Sequence, residues 1–480
     1  MSPLTLFWHR LPLILLSFLA LAMSWTAGAA SVVNVEILRY QSGPVLAPDF
    51  IGLSFEMNYV LADTNGNHFF SPQNQRLIAT FKTLGVKSLR VGGNTADRPT
   101  LPTPNQADVD NLFAFAKAAE VKVIYTLRIR EGSLAGATEM ANYIMRHYPE
   151  QLDCFAIGNE PNVFSKEYAP YLAEWKRYAT QITAPTNSPN ATFCGPSTSP
   201  GHESWANHFA IEFGHRGPLA LIAQHDYPGG DARRATNAAA AREKILSPAI
   251  DAHYARFAAS WVPAALTNGL PYRVEEANSF YDGGALDVSD TFAAALWALD
   301  YQWWWASHGA SGINFHTGDK VAARDESKPC RYAVFWTTPA GYDVHPIAYA
   351  LKMFSLGGRG RLLPTRVENE DHPNIAVYAA AADQKTIFVT LINREHDVDG
   401  RVVQLNFDQA LPEARADVMF LAAPENNIAA KNGVTLGGAE IQDDATWRGK
   451  WTSLPDATTD GKFDINLPCA SAALIKITTQ

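Results

Sequence analysis

The stretch Leu152-Asp153-Cys154-Phe155-Ala156-Ile157-Gly158-Asn159-Glu160 is a short apolar run that ends in glycine and two polar residues. A run of this length, bounded by turn-forming residues, predicts a buried β-strand. Similar runs recur between residues 48 and 316 and make a set of eight. The eight predicted strands are Phe50–Glu56, Val86–Gly93, Val121–Leu127, Leu152–Gly158, Thr192–Gly195, Leu219–Gln224, Tyr272–Glu276 and Gly312–Phe315.

Helical patterns lie between these strands. They include Pro72–Leu84, Gln106–Ala119, Gly136–His147, Lys166–Ile182 and Ser289–Ser307. Eight strands that alternate with helices predict an α/β fold, a (β/α)₈ TIM barrel. An open doubly wound sheet alternates in the same way, but the stretch Gly52-Leu53-Ser54-Phe55-Glu56 lacks the glycine-rich phosphate loop that follows its first strand. The barrel is therefore favoured.

The pattern changes after residue 345, where strands are joined by polar turns. These strands are Ile375–Ala379, Thr386–Ile392, Val402–Phe407, Val418–Leu421 and Ala473–Ile477. They predict a C-terminal β-sandwich. The segment Val32–Leu38 also has strand character, and we expect it to pair into the sandwich. The predicted boundaries are 31–46 for the N-terminal strand, 47–345 for the barrel and 346–480 for the sandwich.

The first thirty residues predict a signal peptide. His9 and Arg10 precede the apolar run Leu11–Met23, and the small residues Ala27-Gly28-Ala29-Ala30 follow it. This order is typical of a secretory signal over residues 1–30, with cleavage after Ala29 or Ala30. An uncleaved membrane anchor is the alternative, but the run is too short to span a bilayer. We expect a secreted or periplasmic protein with no membrane association after cleavage.

Charge and cysteine content exclude several classes of function. The formal net charge of −9 argues against nucleic acid as a partner. The four cysteines Cys154, Cys194, Cys330 and Cys469 allow three disulfide pairings, and the sequence does not choose between them. No metal-ligand spacing of cysteines and histidines occurs. We therefore expect no metal and no organic cofactor, and we expect a monomer.

The carboxyl ends of the predicted strands carry the candidate functional residues, because barrels place their functional side chains there. These residues are Glu56, Asn94, Asn159, Glu160, Tyr227, Glu276 and His316. The fourth and seventh strands lie roughly across the barrel mouth, so Glu160 and Glu276 can face each other. Pro161, directly after Glu160, ends the hydrogen-bonding ladder and presents the carboxylate on a fixed rim.

A pair of carboxylates about 5–5.5 Å apart cleaves glycosidic bonds with retention, one as acid and the other as nucleophile. Strand-end glutamates are common in barrels, so the pair alone is weak evidence. Glu275 also competes with Glu276, because a strand of period two directs only one of two neighbours to the site. The pattern leaves this choice open.

The residues that flank the two glutamates resemble known motifs. The stretch 158–162, Gly-Asn-Glu-Pro-Asn, resembles the Asn-Glu-Pro signature of the large clan of retaining barrel hydrolases. The stretch 276–284, Glu-Ala-Asn-Ser-Phe-Tyr-Asp-Gly-Gly, followed by 289–298, is similar to glycoside hydrolase family 79, which contains β-glucuronidases and heparanases. Further matches at Gly52–Glu56, Leu89–Asn94 and Gly312–His316 extend the resemblance over most of residues 48–316.

The resemblance implies a role for each matched residue. Glu160 corresponds to the acid/base and Glu276 to the nucleophile, which makes Glu275 a neighbour. Tyr281 and Gly283 match an element that holds the carboxylate of glucuronic acid. The remaining positions, implied to contact sugar hydroxyls or the nucleophile, are Glu56, Asn94, Asn159 and Tyr227. Asp226 stands where relatives often carry tyrosine, which leaves the contacts around it open.

The expected function is that of a retaining β-glucuronidase acting on oligo- or polysaccharides that contain glucuronic acid, by exo or endo cleavage. A non-catalytic carbohydrate-binding protein on the same scaffold is the alternative. The loop Lys320–Arg331 is either a solvated loop of mixed charge or an attractor of heparan-sulfate-like polyanions. His316 either lines the pocket or ends the eighth strand. The run Trp303-Trp304-Trp305 favours helix packing over sugar stacking.

Overall fold

A computed structural model of the chain describes residues 32–214, 217–368, 372–409, 411, 413–458 and 461–479. The predicted signal peptide, residues 1–30, lies outside these described residues. Within the described ranges, no helix combines the length and the apolar character needed to cross a membrane.

One strand, β1 (Val32–Ile37), precedes a closed barrel of eight parallel strands. The barrel strands are β2 (Ile51–Glu56), β3 (Ser88–Gly92), β4 (Lys122–Leu127), β5 (Leu152–Ile157), β6 (Phe193–Thr198), β7 (Leu219–Asp226), β8 (Tyr272–Ala277) and β9 (Ile313–Thr317). Each strand pairs with the next, and β9 closes the barrel on β2. Every predicted strand overlaps one of these, so the predicted (β/α)₈ barrel is confirmed.

Helices cover the barrel. They are α1 (Gln75–Leu84), α2 (Gly93–Ala96), α3 (Gln106–Ala119), α4 (Leu134–His147), α5 (Tyr168–Ile182), α6 (Glu203–Phe213), α7 (Ala238–Leu246), α8 (Ala249–Thr267), α9 (Phe292–Ser307) and α10 (Pro346–Gly357). Local sequence sets several boundaries. Asn105 and Asp108 form a reciprocal capping box at the start of α3. Asn74 caps α1, which ends at Gly85 in the left-handed region, with φ of 75°.

Helix α10 was not predicted, and the sequence pattern assigned its residues to the sandwich. Nearly all of its side chains are apolar and buried, so no clear helical period marks it. It packs against α9. The ring of Phe354 lies 4.7 Å from that of Trp303 and 5.1 Å from that of Phe50. This helix covers the barrel after its last strand, and the strands of the sandwich begin only at Arg361.

The C-terminal part of the chain is built from antiparallel sheets. Its strands are β10 (Phe335–Thr337), β11 (Tyr342–Val344), β12 (Arg361–Leu363), β13 (Thr365–Glu368), β14 (Ile375–Ala381), β15 (Thr386–Asn393), β16 (Arg401–Phe407), β17 (Arg415–Ala422), β18 (Thr435–Leu436), β19 (Thr452–Ser453), β20 (Phe463–Leu467) and β21 (Ser471–Thr478). Strands β10 and β11 form a separate hairpin. One sandwich sheet has the order β13-β1-β16-β20, and the other has β12-β14-β15-β21-β17-β18, with β19 on β17.

Strand β1 belongs to the sandwich, as predicted. It pairs antiparallel with β13 and parallel with β16, so it lies inside its sheet. Alternate residues point to the sandwich core, where Val33, Val35 and Ile37 are buried. The N-terminal strand and the C-terminal strands therefore share one hydrophobic core.

An ionic cluster, in which Arg394 and Asp300 are buried and Asp251 is exposed, joins the barrel to the sandwich. Arg394, which follows β15, lies 2.8 Å from Asp251 of α8 and 3.0 Å from Asp300 of α9. The hydroxyl of Tyr378 donates a second hydrogen bond to Asp300, at 2.9 Å. These contacts fix the sandwich against the outer face of the barrel helices, away from the barrel mouth.

The tryptophan run of α9 packs the helix, as the sequence favoured. Trp303 stacks on Tyr378 of the sandwich with ring centres 5.8 Å apart. Trp305 is fully buried against Trp261 of α8. Trp304 stacks on His308 at 3.7 Å. None of these three rings forms an open platform for a sugar.

Candidate active site

Glu160 follows β5 at the mouth of the barrel. Its backbone lies in the left-handed region, with φ of 44° and ψ of 56°. A non-glycine residue pays about 1–2 kcal/mol for this conformation, and such residues cluster at functional sites. Its N–H donates to the carbonyl of Ser197 at 2.9 Å, which holds the turn. The side chain is 15% exposed, so the carboxylate is presented at the rim and open to solvent.

Glu276 lies deeper, on β8, where its side chain is 8% exposed. Its Oε2 accepts from Nη1 of Arg90 at 2.6 Å, and its Oε1 accepts from the hydroxyl of Tyr227 at 2.8 Å. Burial alone would raise the pKa of Glu276. The charges of His316, His225 and Arg90, together with the hydrogen bond from Tyr227, outweigh burial and hold this pKa well below its usual range. Glu276 is therefore ionised at neutral pH.

The two predicted carboxylates are brought together. One oxygen of Glu160, one oxygen of Glu276 and Nδ1 of His225 all lie within 4.8 Å of one another. Nδ1 of His225 is 2.9 Å from Oε1 of Glu160 and 3.8 Å from Oε1 of Glu276. A carboxylate pair of this spacing suits a displacement in which one group attacks the sugar and the other protonates the leaving oxygen.

His225 is a functional residue that the sequence reasoning missed. It is fully buried on β7, and its Nε2 lies 3.5 Å from Oε1 of Glu275. Burial would lower its pKa, but the charge of Glu276 and the contacts with Glu160 and Glu275 raise it to about 9. The ring is therefore an imidazolium at neutral pH, with a donor on each nitrogen. The signal was present in the sequence, as a histidine near the carboxyl end of a strand that begins with an apolar run.

The simple alternation expected for Glu275 and Glu276 is broken, because β8 carries a bulge. Gln224 pairs with Val274, but the next residue, His225, pairs with Glu276, so one extra residue lies in β8. A bulge of this kind breaks the period of two. Both carboxylates consequently contact His225. Glu275 is 0% exposed, and its Oε2 accepts from the thiol of Cys194 at 3.3 Å, so only Glu276 is open to a substrate.

Arg90 is a second residue that the sequence reasoning missed. Besides Glu276, its guanidinium donates to Oγ of Ser54 at 3.1 Å and to Oδ1 of Asn159 at 2.6 Å. It is fully buried in the middle of β3, where a charged residue in an apolar run was the available signal. A Cβ at position 92 would lie 2.5 Å from Cζ of Arg90, so only glycine fits beside the guanidinium.

Glu56 and Asn94 are held by one turn at the end of β3. The carboxylate of Glu56 accepts from N of Asn94 at 3.2 Å and from N and Oγ1 of Thr95 at 2.7 and 2.6 Å. A Cβ at Gly93 would lie 2.4 Å from that carboxylate. Glu56 thus shapes the rim of the mouth through protein contacts, whereas Asn94 is exposed on the turn.

Asn159 and Tyr227 lie beside the two carboxylates. N of Asn159 donates to Asp97 at 2.6 Å, and Arg90 holds its side-chain oxygen, so its orientation is fixed from both sides. Tyr227 is buried, with its hydroxyl on Glu276. Asp226 does not join them. It accepts from His253 at 3.0 Å and from Tyr301 at 2.9 Å, on helices α8 and α9, and so points away from the mouth.

Tyr281 and Gly283 lie in the loop after β8. Tyr281 is 40% exposed, and its ring meets that of Tyr227 edge-on at 6.1 Å. Asp282, Gly283 and Gly284 follow with φ of 69°, 84° and 90°. A Cβ at Gly283 would lie 2.9 Å from the carbonyl of Pro329, so the loop depends on glycine there. The exposed Tyr281 therefore contacts Tyr227, which in turn contacts the candidate nucleophile Glu276.

The loop Lys320–Arg331 packs onto this mouth through its own charges. Arg324 donates to the carbonyl of Leu61 at 2.6 Å, and Lys328 forms an ion pair with Asp282. Asp325 and Glu326 both pair with Arg98 of the β3–α3 connection. Much of the loop's charge is therefore used to hold it in place, and its pull on a polyanion is weaker than its sequence indicates.

His316 lines the floor of the site. Its Nδ1 lies 3.1 Å from Oγ of Ser54 and 3.7 Å from Oε2 of Glu276, and its Nε2 lies 3.7 Å from Oε1 of Glu56. The sequence left open whether His316 lines the pocket or simply ends the eighth strand. Its position agrees with a residue that lines the pocket.

Among the described residues, Glu160, His225 and Glu276 form a group that could hold a metal ion. Their surroundings disfavour one, because Arg90 already contacts Glu276 at 2.6 Å and the raised pKa of His225 keeps a proton on its ring. All four cysteines are free thiols, so none of the three possible pairings is formed. The arrangement instead suits acid–base and nucleophilic chemistry by two carboxylates.

A closed (β/α)₈ barrel with an ionised carboxylate facing a more exposed one at its C-terminal mouth is the arrangement found in glycoside hydrolases. Comparison with known proteins agrees. The chain is 25% identical over 340 residues to a β-glucuronidase of Aspergillus niger, a match that spans 65% of this chain and 58% of that protein. No family model matches the chain.

Solved structures share the whole architecture. A 4-O-α-L-rhamnosyl-β-D-glucuronidase from Fusarium oxysporum superposes with a TM-score of 0.70 at 19% identity, over 93% of this chain and 100% of that one. A GH51 arabinofuranosidase from Xanthomonas axonopodis pv. citri superposes with a TM-score of 0.69 at 14% identity, over 93% and 99%. The predicted barrel with its sandwich is thus confirmed, as is the resemblance to β-glucuronidases. Membership of family 79 itself stays a prediction.

Proposed function

We propose that the protein is a retaining β-glucuronidase in which Glu276 is the nucleophile and Glu160 is the acid/base. The observation that carries this proposal is the placement of the two carboxylates, whose nearest ligand oxygens lie within 4.8 Å at the barrel mouth. Glu276 is ionised and clamped by Arg90 and Tyr227, as a nucleophile must be. Glu160 is the more exposed of the two and can reach a leaving group.

In the first step, an oxygen of Glu276 attacks the anomeric carbon while Glu160 gives its proton to the departing glycosidic oxygen. The bond to the leaving group breaks, and the sugar becomes an ester of Glu276. Glu276 loses its negative charge, which Arg90 and Tyr227 stabilise, when the ester forms. Both donors stay in place to receive that charge when the ester is cleaved.

In the second step, Glu160 is ionised and takes a proton from a water molecule. The water oxygen attacks the anomeric carbon from the side that the leaving group vacated, and Glu276 departs as a carboxylate. Two inversions give net retention. Nδ1 of His225 lies 2.9 Å from Oε1 of Glu160, so a cationic donor lies beside this carboxylate and stabilises its ionised form in the second step.

Three observations support glucuronic acid as the sugar. Two of the similar proteins are glucuronidases by name. Tyr281 and Gly283 match the family's carboxylate-holding element, and the exposed ring of Tyr281 reaches the ring of Tyr227. Asp282, which lies between Tyr281 and Gly283, pairs with Lys328 and with Arg233. Two cationic side chains therefore lie next to the Tyr281–Gly283 element. A uronate held by Tyr281 would lie near Tyr227, whose hydroxyl contacts Glu276.

We propose that the substrate is an oligo- or polysaccharide containing β-linked glucuronic acid, and that the protein is exported and acts as a monomer. Export is supported by the sequence of residues 1–30 alone. Mass spectrometry of the protein recovered from its host would give a chain that begins at residue 30 or 31. A chain that retains residue 1 would contradict cleavage.

The activity is tested with a chromogenic aryl β-glucuronide, and the matching aryl β-glucoside serves as control. We expect hydrolysis of the glucuronide and little of the glucoside, because the glucoside lacks the carboxylate. Proton NMR of the first product should show the β-anomer before mutarotation. No hydrolysis of any β-glucuronide would overturn the proposal, and an initial α-anomer would overturn the double displacement.

The position of the cut follows from the size of the products released from heparan sulfate. Release of single glucuronic acid residues with little change in mean chain length means exo cleavage. A fall in mean chain length means endo cleavage, as in the heparanases that the motifs resemble. Size-exclusion chromatography of the digest separates the two outcomes.

A further inference from the structure

A cavity of about 350 Å³ lies at the carboxyl end of β4. Its walls come from this strand, from the connection between β3 and α3, and from the first turns of α4. The described residues that line it do not include Glu160, His225 or Glu276, so it is distinct from the candidate active site. We propose that this cavity is a second binding site, which takes a small aromatic carboxylate with its acid group on Arg128.

The cavity lies between the barrel wall and the helices that cover it. Alternate side chains of a strand point to opposite faces. Thr126 points to the barrel interior, where a Cβ at Gly92 would lie 2.6 Å from its Oγ1 and 2.5 Å from Cζ of Arg90. Tyr125 and Leu127 therefore point outward, and both line the cavity.

Arg128 brings a cation to the cavity that no acidic side chain of the described chain pairs with. Its Nε donates to the carbonyl of Ala96 at 2.7 Å, and its Nη1 donates to the carbonyl of Leu101 at 2.8 Å. Its Nη2 donates to no described residue. Burial lowers the pKa of Arg128, and the charge of Asp97 offsets only part of this effect. Two carbonyls thus fix the guanidinium, which keeps free donors for an anion.

Tyr125 adds a buried hydroxyl without a partner. The residue lines the cavity and is only 3% exposed. Its hydroxyl forms no hydrogen bond with any residue that the structure describes. Most buried polar side-chain atoms in proteins have at least one partner. The cavity therefore offers a second polar group, besides Arg128, that a ligand can satisfy.

The remaining walls favour a flat apolar ring over a sugar. Met57, Pro104 and Met140 give the cavity apolar surfaces. Asn105 and Ser133 also line it, but their side-chain oxygens already accept from backbone N–H groups at the starts of α3 and α4. A sugar buried here would keep several hydroxyls without partners, which is unfavourable. An aromatic ring with one carboxylate fills the apolar space and binds the guanidinium.

The acidic side chains around the cavity do not take the place of such a ligand. Glu139 lines the cavity but is exposed, so water and salt screen its charge. Asp97 accepts two backbone N–H groups of the loop after β4, at 2.8 and 3.0 Å. Asp108, whose charge acts on Tyr125, lies 2.8 Å from Nε2 of His68. The charge that selects the ligand is therefore that of the guanidinium.

The test is a fluorine NMR titration of the full chain with para-fluorobenzoate, with para-fluorobenzamide as its neutral counterpart. We expect saturable binding of the acid and at least about tenfold weaker binding of the amide, which forms no charge-assisted hydrogen bond with the guanidinium. Glucuronate should not displace the bound acid. The absence of saturable binding, equal binding of the amide, or displacement by glucuronate would each overturn the inference.

Two variants locate the bound acid. Arg128→Leu removes the cation, and Ala137→Leu fills the cavity from α4 while it keeps the cation. Each should weaken binding of para-fluorobenzoate by at least about tenfold. Arg366→Leu removes an exposed arginine of the sandwich and serves as the matched control, with unchanged binding expected.

Ala137→Leu keeps the test decisive if Arg128→Leu does not fold, because Arg128 also holds two carbonyls of the β3–α3 connection. Binding of wild-type strength in folded Ala137→Leu would overturn the inference. This variant should hydrolyse the aryl β-glucuronide as wild type does, since Ala137 lies outside the mouth. Inactive wild type would overturn the proposed function and would not affect this site.

Discussion

Two buried carboxylates, one at the barrel mouth and one at the barrel–sandwich contact, behave in opposite ways. Glu276 at the mouth and Asp300 at the contact each lie against an arginine, at 2.6 Å and 3.0 Å. Their pKa values nevertheless move in opposite directions, well below the usual range for Glu276 and up to about 6 for Asp300. Burial is common to both, so it does not decide the direction.

The difference lies in how many cations each carboxylate has. Among the described residues, the cation that lowers the pKa of Asp300 is Arg394, which Asp300 shares with Asp251, and burial therefore raises this pKa. Glu276 has Arg90 together with two histidines and a tyrosine hydroxyl, and these outweigh burial. The pKa of a buried acid beside an arginine can therefore move in either direction, depending on its other neighbours. The predictions below change one neighbour at a time.

The largest effect is expected for Glu276→Gln, which removes the nucleophile. We expect kcat to fall by about 10⁴-fold or more, as for loss of other enzymic nucleophiles. Labelling by an aziridine of glucuronic acid configuration should disappear, because no carboxylate remains to open the ring. Intact-mass spectrometry gives the measurement. Labelling that persists would point to Glu275 as the nucleophile. The low pKa of Glu276, in contrast to that of Asp300, would then have no catalytic role.

The second effect is expected for Arg90→Met, which makes Glu276 resemble Asp300 by taking away its arginine. The pKa of Glu276 should rise, so the acidic limb of kcat/KM moves to higher pH. A buried charge that loses its partner also destabilises the fold by about 3–5 kcal/mol. The pH profile and urea unfolding measure the two effects. An acidic limb that stays at the wild-type pH would show that the histidines alone keep Glu276 ionised.

A smaller change in the same direction is expected for Tyr227→Phe, which removes one hydrogen bond to Glu276 and no charge. The free energy of unfolding should fall by about 1.5–3 kcal/mol, the range for a hydrogen bond to a charged group. The acidic limb should move up by less than it does in Arg90→Met. The same two measurements apply. If the acidic limb moved further in Tyr227→Phe than in Arg90→Met, charge would not be the main cause of the low pKa of Glu276.

The smallest effect is expected at the contact and concerns stability alone. Because the pKa of Asp300 is raised to about 6, the folded state binds more protons than the unfolded state between about pH 4 and 6. Its stabilisation is therefore complete below about pH 4 and is lost as the pH rises through 6. Relative to Asp300→Asn, wild type should lose about 3 kcal/mol across this range. Urea unfolding at several pH values measures this difference, and a difference that does not change with pH would contradict it.

The sequence predicted the barrel well because its signal is local. Each barrel strand is a short apolar run, and a run such as Leu152–Ile157 ends where the polar rim begins. Glu160 was found because it follows such an end and precedes a proline. Helix α10 was missed because it is apolar on nearly all sides, which removes the amphipathic period that marks a surface helix.

The support of the site was harder to predict because it depends on contacts between distant strands. Arg90 and His225 lie inside strands, where their roles depend on partners 186 and 65 residues away in the chain. The choice between Glu275 and Glu276 depended on a bulge in β8 that shifts the register against β7. The alternation of residues along a single strand does not reveal such a shift in register. A buried charge in an apolar strand was the signal that could have identified Arg90.

The place of β1 inside its sheet has a consequence for the order in which the protein is made. This strand is flanked by β13 and β16, and its parallel partner ends at Phe407, about 370 residues further along the chain. At about 5–20 residues per second, synthesis of that partner finishes about 20–75 s after β1. During this time the alternating valines of β1 have no sheet to join. The first described strand thus pairs with one of the last strands to be synthesised. The sandwich can form only when most of the chain has been made.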